Sequence, residues 1–337
     1  MSFAALSAHM IEAIEAELRR VVQLADGERL AEFQGILAYH LGWEGEGAGP
    51  EARGKRIRPI LLLLACASAS GDWHRALPAA AAVELIHNFS LIHDDIQDNS
   101  PLRRGRPTVW KRWGIPQAIN SGDAMLTMAH LSALRLANTI SAEVAIQAAT
   151  IFQQACLQLT KGQYLDLSYE NRRSLSLDDY WPMVSGKTAA LLSSCAEVGA
   201  LTAQSEAKPR AAYRQFGLSL GLAFQVQDDI LGIWGDAAST GKSVESDLLA
   251  GKKSLPVLFG LRQDGAFARR WLQGPLQVDE IAGMAAQLDV EGGHRFAQET
   301  ANRLTTQALQ ALGEAEPQGE AGQALSELAD DLLRRQG

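Results

Sequence analysis

The sequence predicts an all-α fold. Helical periodicity dominates its 337 residues, Ala and Leu are abundant, and the alternating apolar and polar runs that form strands are hard to find. Pro and Gly fall mostly between the periodic segments, where they start and end helices. No low-complexity linker and no repeat of solenoid period divides the chain. We therefore expect a single domain over residues 1–337 with roughly ten or more helices.

The predicted helices are bounded by turn-forming residues. The first covers residues 10–24, where Ile14 and Leu18 fall near one face. The second covers residues 59–69 and starts at Pro59, a position that favours proline. The other predicted helices cover residues 78–98, 116–137, 142–165, 177–199, 211–234, 255 onward, 278–288, 294–312 and a last segment up to 335. The predicted loops cover residues 43–53, 101–107 (a basic turn), 235–251 and 313–322.

The composition argues against several classes of protein. A formal net charge of −8 does not suit general nucleic-acid binding, which needs a basic face. Cys66, Cys156 and Cys195 form no CxxC pair, which favours buried thiols over disulfides or a zinc site. Residues 1–16 lack the features of a signal peptide, and the longest apolar run, residues 60–67, is shorter than the roughly 20 residues of a membrane span. We expect a soluble cytoplasmic protein without a transmembrane segment.

Two Asp-Asp pairs lie in strongly apolar segments. The first is Asp94-Asp95, followed by Asp98, and the second is Asp228-Asp229. Carboxylates in such segments are unfavourable to desolvate, and a hard divalent cation such as Mg²⁺ is the simplest group that neutralises them. Asp94 and Asp98 share a helix face because they are four residues apart. Two such helices facing each other could hold several ions, and the alternative is a solvated helix end with incidental acids.

Basic residues accompany both acidic pairs. Lys55, Arg56 and Arg58 directly precede a predicted helix whose N-terminus favours anions. The other cations are Arg103 and Arg104 after the first pair, Lys187 beside Thr188, and Lys242, Lys252 and Lys253 after the second pair. A basic run taken singly is usually a solvated face, but its pairing with carboxylates predicts a ligand made of phosphate and metal with an apolar remainder.

His87 lies seven residues, almost two helical turns, before Asp94, so it lies on roughly the same side of that helix. A lone histidine near an apolar face is also typical of a core residue. Both interpretations remain open from spacing alone.

The motifs resemble those of the trans-type (E) polyprenyl diphosphate synthases. The similarity follows the family's order and covers residues 54–59, 94–98, 102–105, 162–166, 186–188, 224–229, 235–236, 241–242 and 251–252. It implies an all-α fold of the isoprenoid synthase type, a single large helical bundle with a central active-site cavity and a motif-bearing core over about residues 54–256. It also implies a homodimer that condenses isopentenyl diphosphate head to tail with dimethylallyl, geranyl or farnesyl diphosphate.

The resemblance further implies roles for individual residues. Asp94, Asp98 and Asp228 would ligate Mg²⁺, with three ions in each active site. Isopentenyl diphosphate would be held by Lys55, Arg58, His87 and Arg104, and the allylic diphosphate by Arg103, Lys187, Thr188, Gln225, Lys242 and Lys252. The residues expected to act in catalysis are Asp94, Asp98, Arg103, Lys187, Asp228 and Lys242. Metal ions and cations stabilise the charge that develops on the departing pyrophosphate, so no protein nucleophile is needed.

Two features bear on metal binding and product length. Position 232 is Gly where many family members have Asp, which removes one carboxylate from the second motif.

The residues upstream of the first motif bear on product length. One aromatic residue, Phe89, lies beside a small one, Ser90, which resembles geranylgeranyl (C20) synthases. Two aromatic residues would suggest a C15 product, and none would suggest a longer chain. On a helical wheel of about 100° per residue, Ser90 lies about 40° from Asp94 and Phe89 about 140° away. The C20 prediction therefore depends on the resemblance, and Phe89 could be plain core packing.

Other functions fit parts of the pattern. A farnesyl or longer-chain synthase would share every motif. A terpene cyclase would need no isopentenyl diphosphate site, so intact Lys55, Arg58 and His87 count against a cyclase. A non-catalytic subunit of a heteromeric synthase commonly lacks one or both acidic motifs, and both are present here apart from Gly232.

Overall fold

A computed structural model describes residues 3–170, 172, 174–235 and 247–333, and the chain is almost entirely helical within these ranges. The helices are α1 (Phe3–Val22), α2 (Ala31–His40), α3 (Pro50–Arg53), α4 (Ile57–Ser68), α5 (Leu77–Gln97), α6 (Val109–Trp113), α7 (Ile115–Leu134), α8 (Leu136–Thr139) and α9 (Ala142–Glu170). They continue with α10 (Leu177–Val184), α11 (Ala190–Thr202), α12 (Ala207–Trp234), α13 (Leu255–Arg262), α14 (Ala266–Trp271), α15 (Ile281–Val290), α16 (Gly293–Glu314) and α17 (Gly319–Leu333).

The all-α prediction is confirmed, with local differences at loops and helix breaks. The basic turn predicted over residues 101–107 is a small antiparallel hairpin of β1 (Leu102–Arg103) and β2 (Arg106–Pro107), the only strand pair in the described ranges. The helix predicted over 177–199 is interrupted by a π-helical turn, Ser185–Ala189. Most of the loop predicted over 235–251 lies outside the described residues. None of the described helices combines the length and apolar character that crossing a membrane requires.

The chain divides into two compact units. The first comprises Met1–Gln153, Cys195–Arg210 and Pro317–Leu325, and the second comprises Gln154–Ser194, Ala211–Glu316 and Ser326–Gly337. Each unit therefore contains one of the two acidic pairs. The expectation of a single domain over residues 1–337 stays a prediction.

The core of the first unit is built around α5. This helix packs against α7, α4 and α1, and its Ala79–Val83 stretch is fully buried, so small side chains let the neighbouring helices approach closely. Leu61 to Leu64 of α4 are also fully buried, and each contributes about 1.5–3 kcal/mol of apolar burial. Ser132 Oγ of α7 donates to the Pro78 carbonyl oxygen at 2.8 Å and fixes the start of α5. This packing holds the end of α5, and hence the first acidic pair, in place.

The second unit depends on close glycine contacts along α12. A Cβ at Gly217 would lie 2.5 Å from the Leu192 carbonyl oxygen, and one at Gly221 would lie 2.6 Å from Ala189 Cα. These contacts bring α12 against α11 and the π-helical turn, which positions the second acidic pair at the far end of α12. All three cysteines of the chain are buried and free, as predicted.

Candidate active site

The C-terminal end of α5 carries the first acidic pair. Asp94 is half-buried, and Asp98, which directly follows the helix, is exposed. The Asp98 N–H donates to the Asp94 carbonyl oxygen at 2.8 Å, so the backbone holds both residues on one turn. The C-terminal end of a helix carries partial negative charge, and two carboxylates there are unfavourable unless a cation is close. This helix end therefore suits a cation.

Asp95, between these two residues, forms a buried ion pair. Its side chain is 2% exposed, it accepts from Arg103 Nε at 2.8 and 3.0 Å, and Arg103 Nη2 lies 2.7 Å from Oδ1. Burial raises the pKa of Asp95, and the Arg103 charge opposes that rise. This ion pair fixes Arg103, which was predicted to bind the allylic diphosphate, beside the acidic end of α5. Asp95 was not among the predicted site residues, and only its place inside the motif marked it.

Arg58 and His87 lie in direct contact in the first unit. Arg58 Nη1 is 3.3 Å from His87 Nε2, and the buried Arg58 Nε has no hydrogen-bond partner among the described residues. Burial lowers the pKa of His87 well below its usual value, and the charges of Arg58 and Arg104 lower it further. His87 is therefore neutral near pH 7 and offers one N–H donor. Lys55, also predicted for isopentenyl diphosphate, has an exposed side chain.

The hairpin turn places Arg104 next to these residues. Arg104 and Gly105 have positive φ angles of 52° and 73°, as a two-residue turn between antiparallel strands requires. Arg104 Nη1 donates to the Ala52 carbonyl oxygen at 2.8 Å. A Cβ at Gly54 would lie 2.6 Å from Arg104 Cζ, so glycine there admits the guanidinium. A left-handed arginine is strained by about 1–3 kcal/mol, and strain of this kind clusters at functional sites.

Arg56 is a buried structural residue, although it belongs to the same basic run. It is 3% exposed and donates to Glu15 and to Glu84, each at 2.7 Å. Its φ of 49° is left-handed, directly before α4. The three cations that precede this helix in the sequence therefore separate into an exposed Lys55, a buried Arg56 and an Arg58 beside the neutral His87.

His40, at the end of α2, is a further polar residue of this group that was not predicted. It lines a small cavity together with Asp95, Arg103 and Arg104. Burial, together with the charges of Arg103 and Arg104, lowers the pKa of His40 to about 3. Its buried Nε2 has no hydrogen-bond partner among the residues that the structure describes. No motif marks His40 in the sequence, because α2 reaches this group only through the tertiary fold.

The second acidic pair, on α12 in the second unit, contains one buried and one half-buried carboxylate. Asp229 is 1% exposed and accepts from Tyr180 Oη at 2.8 Å, the Leu255 N–H at 3.0 Å and Gln225 Nε2 at 3.0 Å. A buried carboxylate with three donors anchors the surrounding helices. Asp228, the predicted Mg²⁺ ligand, is half-buried. In both motifs, therefore, one Asp is buried and hydrogen-bonded (Asp95 and Asp229), and the preceding Asp is closer to the surface (Asp94 and Asp228).

Lys187 lies on the π-helical turn Ser185–Ala189, a kind of helix distortion that frequently marks functional sites. The turn is pressed against α9, because a Cβ at Gly162 would lie 2.2 Å from the Lys187 backbone nitrogen. Lys187 Nζ forms an ion pair with Asp166, also on α9. Asp166 ends the 162–166 segment that was noted in the sequence, but no role was predicted for it.

Thr188 and Lys252 are the remaining described residues that were predicted to bind the allylic diphosphate. Thr188 Oγ1 donates to Gln225 Oε1 at 2.8 Å, which joins two predicted residues. Lys252 Nζ lies 3.2 Å from Asp247 Oδ2 and 3.5 Å from Asp229 Oδ1. Burial opposes the Lys252 charge, but these two carboxylates outweigh it and raise the pKa of Lys252. The predicted catalytic and allylic residue Lys242 lies outside the described residues.

Phe89 and Ser90, the predicted chain-length residues, are both buried on α5. Phe89 is 9% exposed and meets the His93 ring edge to face, with the ring centroids 5.4 Å apart. Ser90 is 7% exposed, and its Oγ donates to the His87 carbonyl oxygen at 2.8 Å within the helix. His93 lies against Gly122 of α7, where a Cβ would be 2.2 Å from Nε2. Their role in setting product length stays a prediction.

The two predicted diphosphate groups differ in how their cations are neutralised. Arg58 contacts a neutral histidine and Arg104 a backbone carbonyl, whereas Arg103, Lys187 and Lys252 each face a carboxylate. Among the described residues, no carboxylate contacts Arg58 or Arg104 directly, and Glu84 acts on both only at longer range, so the first group favours an anion. The described cations of the second group are each paired with a carboxylate, so a diphosphate at these residues needs additional positive charge.

The acidic residues suit Mg²⁺ held jointly with a substrate. Among the described residues, no group of three or more His, Cys, Asp or Glu side chains could by itself hold a metal ion. Mg²⁺ is usually bound through one or two carboxylates together with substrate phosphates and waters. Asp94 and Asp98 at one helix end offer such a partial set of oxygen donors, so the residues fit this ion.

Known proteins share both the sequence and the fold. The model of the family described as "Polyprenyl synthetase" matches residues 49–284. The chain is 40% identical over 311 residues to a (2E,6E)-farnesyl diphosphate synthase of Mycobacterium bovis, covering 89% of this chain and 86% of that protein. It is 41% identical over 288 residues to a geranylgeranyl diphosphate synthase of Mycobacterium tuberculosis, covering 83% and 81%. The crystal structure of a polyprenyl synthetase from Streptomyces coelicolor A3(2) superposes with a TM-score of 0.87 at 33% identity, covering 98% of this chain and 99% of that one.

The helical architecture is that of the isoprenoid synthases, as the likeness to solved structures shows. Within that class, the family match and the identity over most of its length show that the chain belongs to the polyprenyl synthetase family and is a prenyltransferase.

Proposed function

We propose that this protein condenses isopentenyl diphosphate head to tail with an allylic diphosphate, in the trans configuration, and makes geranylgeranyl diphosphate. The observation that carries the proposal is the group of Arg58, His87 and Arg104, whose two arginines have no carboxylate in direct contact within the described part of the chain. A condensation of two diphosphates needs a site for the one that does not ionise. A terpene cyclase has no such requirement, so this group favours chain elongation.

The residues fit the chemistry of that reaction. The allylic C–O bond breaks, the alkene of isopentenyl diphosphate forms the new C–C bond, and a proton then leaves to the released pyrophosphate. Mg²⁺, when bound, supplies positive charge for the departing pyrophosphate. Asp94, Asp98 and Asp228 would hold the ions, while Arg103, Lys187 and Lys252 would bind diphosphate oxygens and contribute further positive charge. Lys242, which lies outside the described residues, is also proposed to bind this diphosphate. The allylic cation must be kept from water, which requires apolar walls beside the ions.

The C20 product is the finer part of the proposal. The farnesyl and geranylgeranyl synthases above are almost equally similar to this chain, at 40% and 41% identity. The support for C20 is the single aromatic residue, Phe89, beside the small Ser90, both buried on the helix that carries the first acidic motif.

The test is elongation by the purified protein with Mg²⁺, labelled isopentenyl diphosphate and one allylic primer at a time. We expect C20 alcohols after dephosphorylation. Products that stop at C15 or pass C20 would contradict the product assignment. A cyclic hydrocarbon formed without isopentenyl diphosphate would show a cyclase, and no elongation from any primer would leave the non-catalytic subunit as the better description.

Phe89→Ala is expected to lengthen the product beyond C20. The substitution removes a buried ring five residues before Asp94 and leaves room for further isoprene units. Product length is measured by chromatography after dephosphorylation, with Phe33→Ala on α2 as the matched control. If the Phe89→Ala product stays at C20 while the protein remains folded, Phe89 does not limit the chain.

Arg58→Gln is expected to raise the KM for isopentenyl diphosphate roughly 10- to 100-fold, because it removes a charge-assisted hydrogen bond to phosphate. The KM for the allylic primer should change less than threefold. Steady-state kinetics with each substrate varied in turn measure both values. Arg20→Gln on α1, whose side chain is 66% exposed, is the control. An equal rise in both KM values would show that Arg58 has no preference between the diphosphates.

A homodimer is also part of the proposal. The α7 surface exposes four large apolar side chains, Ile115, Ile119, Leu131 and Leu134, each between 43% and 49% exposed. Exposed apolar side chains along one helix favour burial against a second copy of the chain. Light scattering during size-exclusion chromatography measures the mass in solution, and a mass of one chain at micromolar concentration would contradict the dimer.

A further inference from the structure

Arg106 of β2 is a buried arginine that contacts the backbone rather than carboxylates. It is 7% exposed and forms no ion pair within the described part of the chain. Arg106 Nη1 donates to the Tyr39 carbonyl oxygen at 2.9 Å, and its Nη2 donates to the Glu44 carbonyl oxygen at 2.6 Å. Its Nε donates to the Glu46 carbonyl oxygen at 2.9 Å. The guanidinium fork therefore holds both the end of α2 and the loop that follows it.

Residues 42–49, which we call the glycine loop, are closed by their own backbone. The Gly49 N–H donates to the Gly42 carbonyl oxygen at 3.1 Å, so the two ends of the loop meet. Gly42 has a φ of 80°, and a Cβ there would lie 2.6 Å from the Ala52 carbonyl carbon. The Ala52 carbonyl oxygen accepts from Arg104 Nη1. The glycine loop thus packs directly against the residue that holds the Arg104 side chain.

Tyr39 and Gly45 complete the site that receives the Arg106 side chain. The guanidinium lies over the Tyr39 ring, with Cζ 3.9 Å from the ring centroid, which adds a cation–π contact. Tyr39 is 5% exposed and its Oη donates to the Pro107 carbonyl oxygen at 2.8 Å, so its ring is held in place. Gly45 has a φ of 84°, and a Cβ there would lie 2.8 Å from Tyr39 Cδ2. Another residue at position 45 would be strained in this backbone conformation and would press on the fixed ring.

The hairpin that carries Arg104 depends on contacts of this kind. It has two residue pairs, and the pair nearest the turn is Arg103 with Arg106. An isolated two-stranded hairpin is marginally stable at best in water, so tertiary contacts must hold it. Arg103 is held by Asp95, and Arg106 is held by the glycine loop. The two strands therefore have separate anchors, one on each side of Arg104.

We propose that Arg106 and the glycine loop position Arg104, and that they thereby set the affinity of the protein for isopentenyl diphosphate. This inference rests on the proposed function, in which Arg104 binds that diphosphate. Arg103 keeps its contacts with Asp95 when Arg106 is replaced, so the allylic diphosphate should be affected much less. A general loss of stability would not distinguish the two substrates in this way.

Arg106→Gln tests the role of the guanidinium. Titration calorimetry with isopentenyl diphosphate, without primer, measures binding in the absence of turnover. We expect the affinity to fall roughly tenfold, because a displaced Arg104 loses a charge-assisted hydrogen bond to phosphate. The KM for isopentenyl diphosphate should rise by a similar factor, and the KM for the allylic primer by less than about threefold. Arg106→Lys keeps the charge without the fork and should bind with intermediate affinity.

Gly45→Ala disturbs the glycine loop without removing a charge, and it carries the test if Arg106→Gln does not fold. It should weaken the binding of isopentenyl diphosphate in the same direction as Arg106→Gln. Hydrogen exchange of residues 42–49, followed by mass spectrometry, should be faster in both variants. The matched control is Glu44→Gln with Glu46→Gln, because Arg106 contacts only the backbone of these residues. We expect the control to change the affinity by less than about twofold.

Circular dichroism and thermal unfolding show whether each variant is folded. Equal losses for the two substrates, or faster exchange of the glycine loop with unchanged affinity for isopentenyl diphosphate, would overturn the inference. An Arg106→Lys protein that binds as tightly as the unmodified one would show that charge alone matters, which also contradicts it. If the unmodified protein elongates no primer, the proposed function fails, and the calorimetric affinities still decide the role of Arg106. An unmodified protein that binds no isopentenyl diphosphate would overturn both.

Discussion

Replacing Asp94 with Asn is expected to lower kcat/KM for the allylic primer by on the order of 10³-fold. Asp94 is half-buried at the end of α5, where the partial negative charge of the helix terminus favours a nearby cation. The substitution keeps the size of the side chain but removes a charged oxygen donor for the ion that stabilises the leaving pyrophosphate, so activity falls.

The measurement is steady-state kinetics over a range of Mg²⁺ concentrations. Asp94→Asn should shift the half-saturating Mg²⁺ concentration upward, and Asp98→Asn should act in the same direction because both residues occupy one turn. Glu32→Gln, which removes an exposed carboxylate from the first turn of α2, is the matched control. An Asp94→Asn protein with more than a tenth of the original activity and an unchanged Mg²⁺ requirement would contradict the assignment.

Replacing Arg56 with Met is expected to lower the free energy of unfolding by about 3–5 kcal/mol. The Arg56 side chain is 1% exposed and bridges Glu15, at 11%, and Glu84, at 3%. Burial disfavours the Arg56 charge, but Glu84 and Glu15 outweigh it and raise the pKa of Arg56. A methionine would leave two carboxylates withdrawn from water without their cation, which is the unfavourable part of the change.

Urea unfolding followed by circular dichroism measures the change in the free energy of unfolding. Arg56→Lys retains the charge but loses the forked guanidinium that reaches both carboxylates. Its free energy of unfolding should therefore lie between those of Arg56→Met and the unmodified protein. Arg20→Met on α1 provides the control for an exposed arginine. A loss below about 1 kcal/mol for Arg56→Met would show that the buried ion pairs contribute no more than surface ones.

The sequence by itself determined the fold class, the order of the helices and the chemistry of the motifs. Hydrophobic periodicity is a local property, so α5 and α12 were predicted within a few residues of their observed bounds. The spacing of Asp94 and Asp98 placed them on one helix face, because helical geometry fixes residues four apart. The motif similarity then indicated the prenyl synthases, and the family match agrees with it.

Only the tertiary structure decided which members of each cluster are buried supports and which are near the surface. Asp95 pairs with Arg103, Asp229 with Tyr180, and Arg56 with residues of α1 and α5, none of which the local pattern reveals. His40 joins the basic group from a helix without a motif. The physical reason is that burial and ion pairing depend on contacts between distant segments, whereas periodicity and motif spacing report only on neighbouring turns.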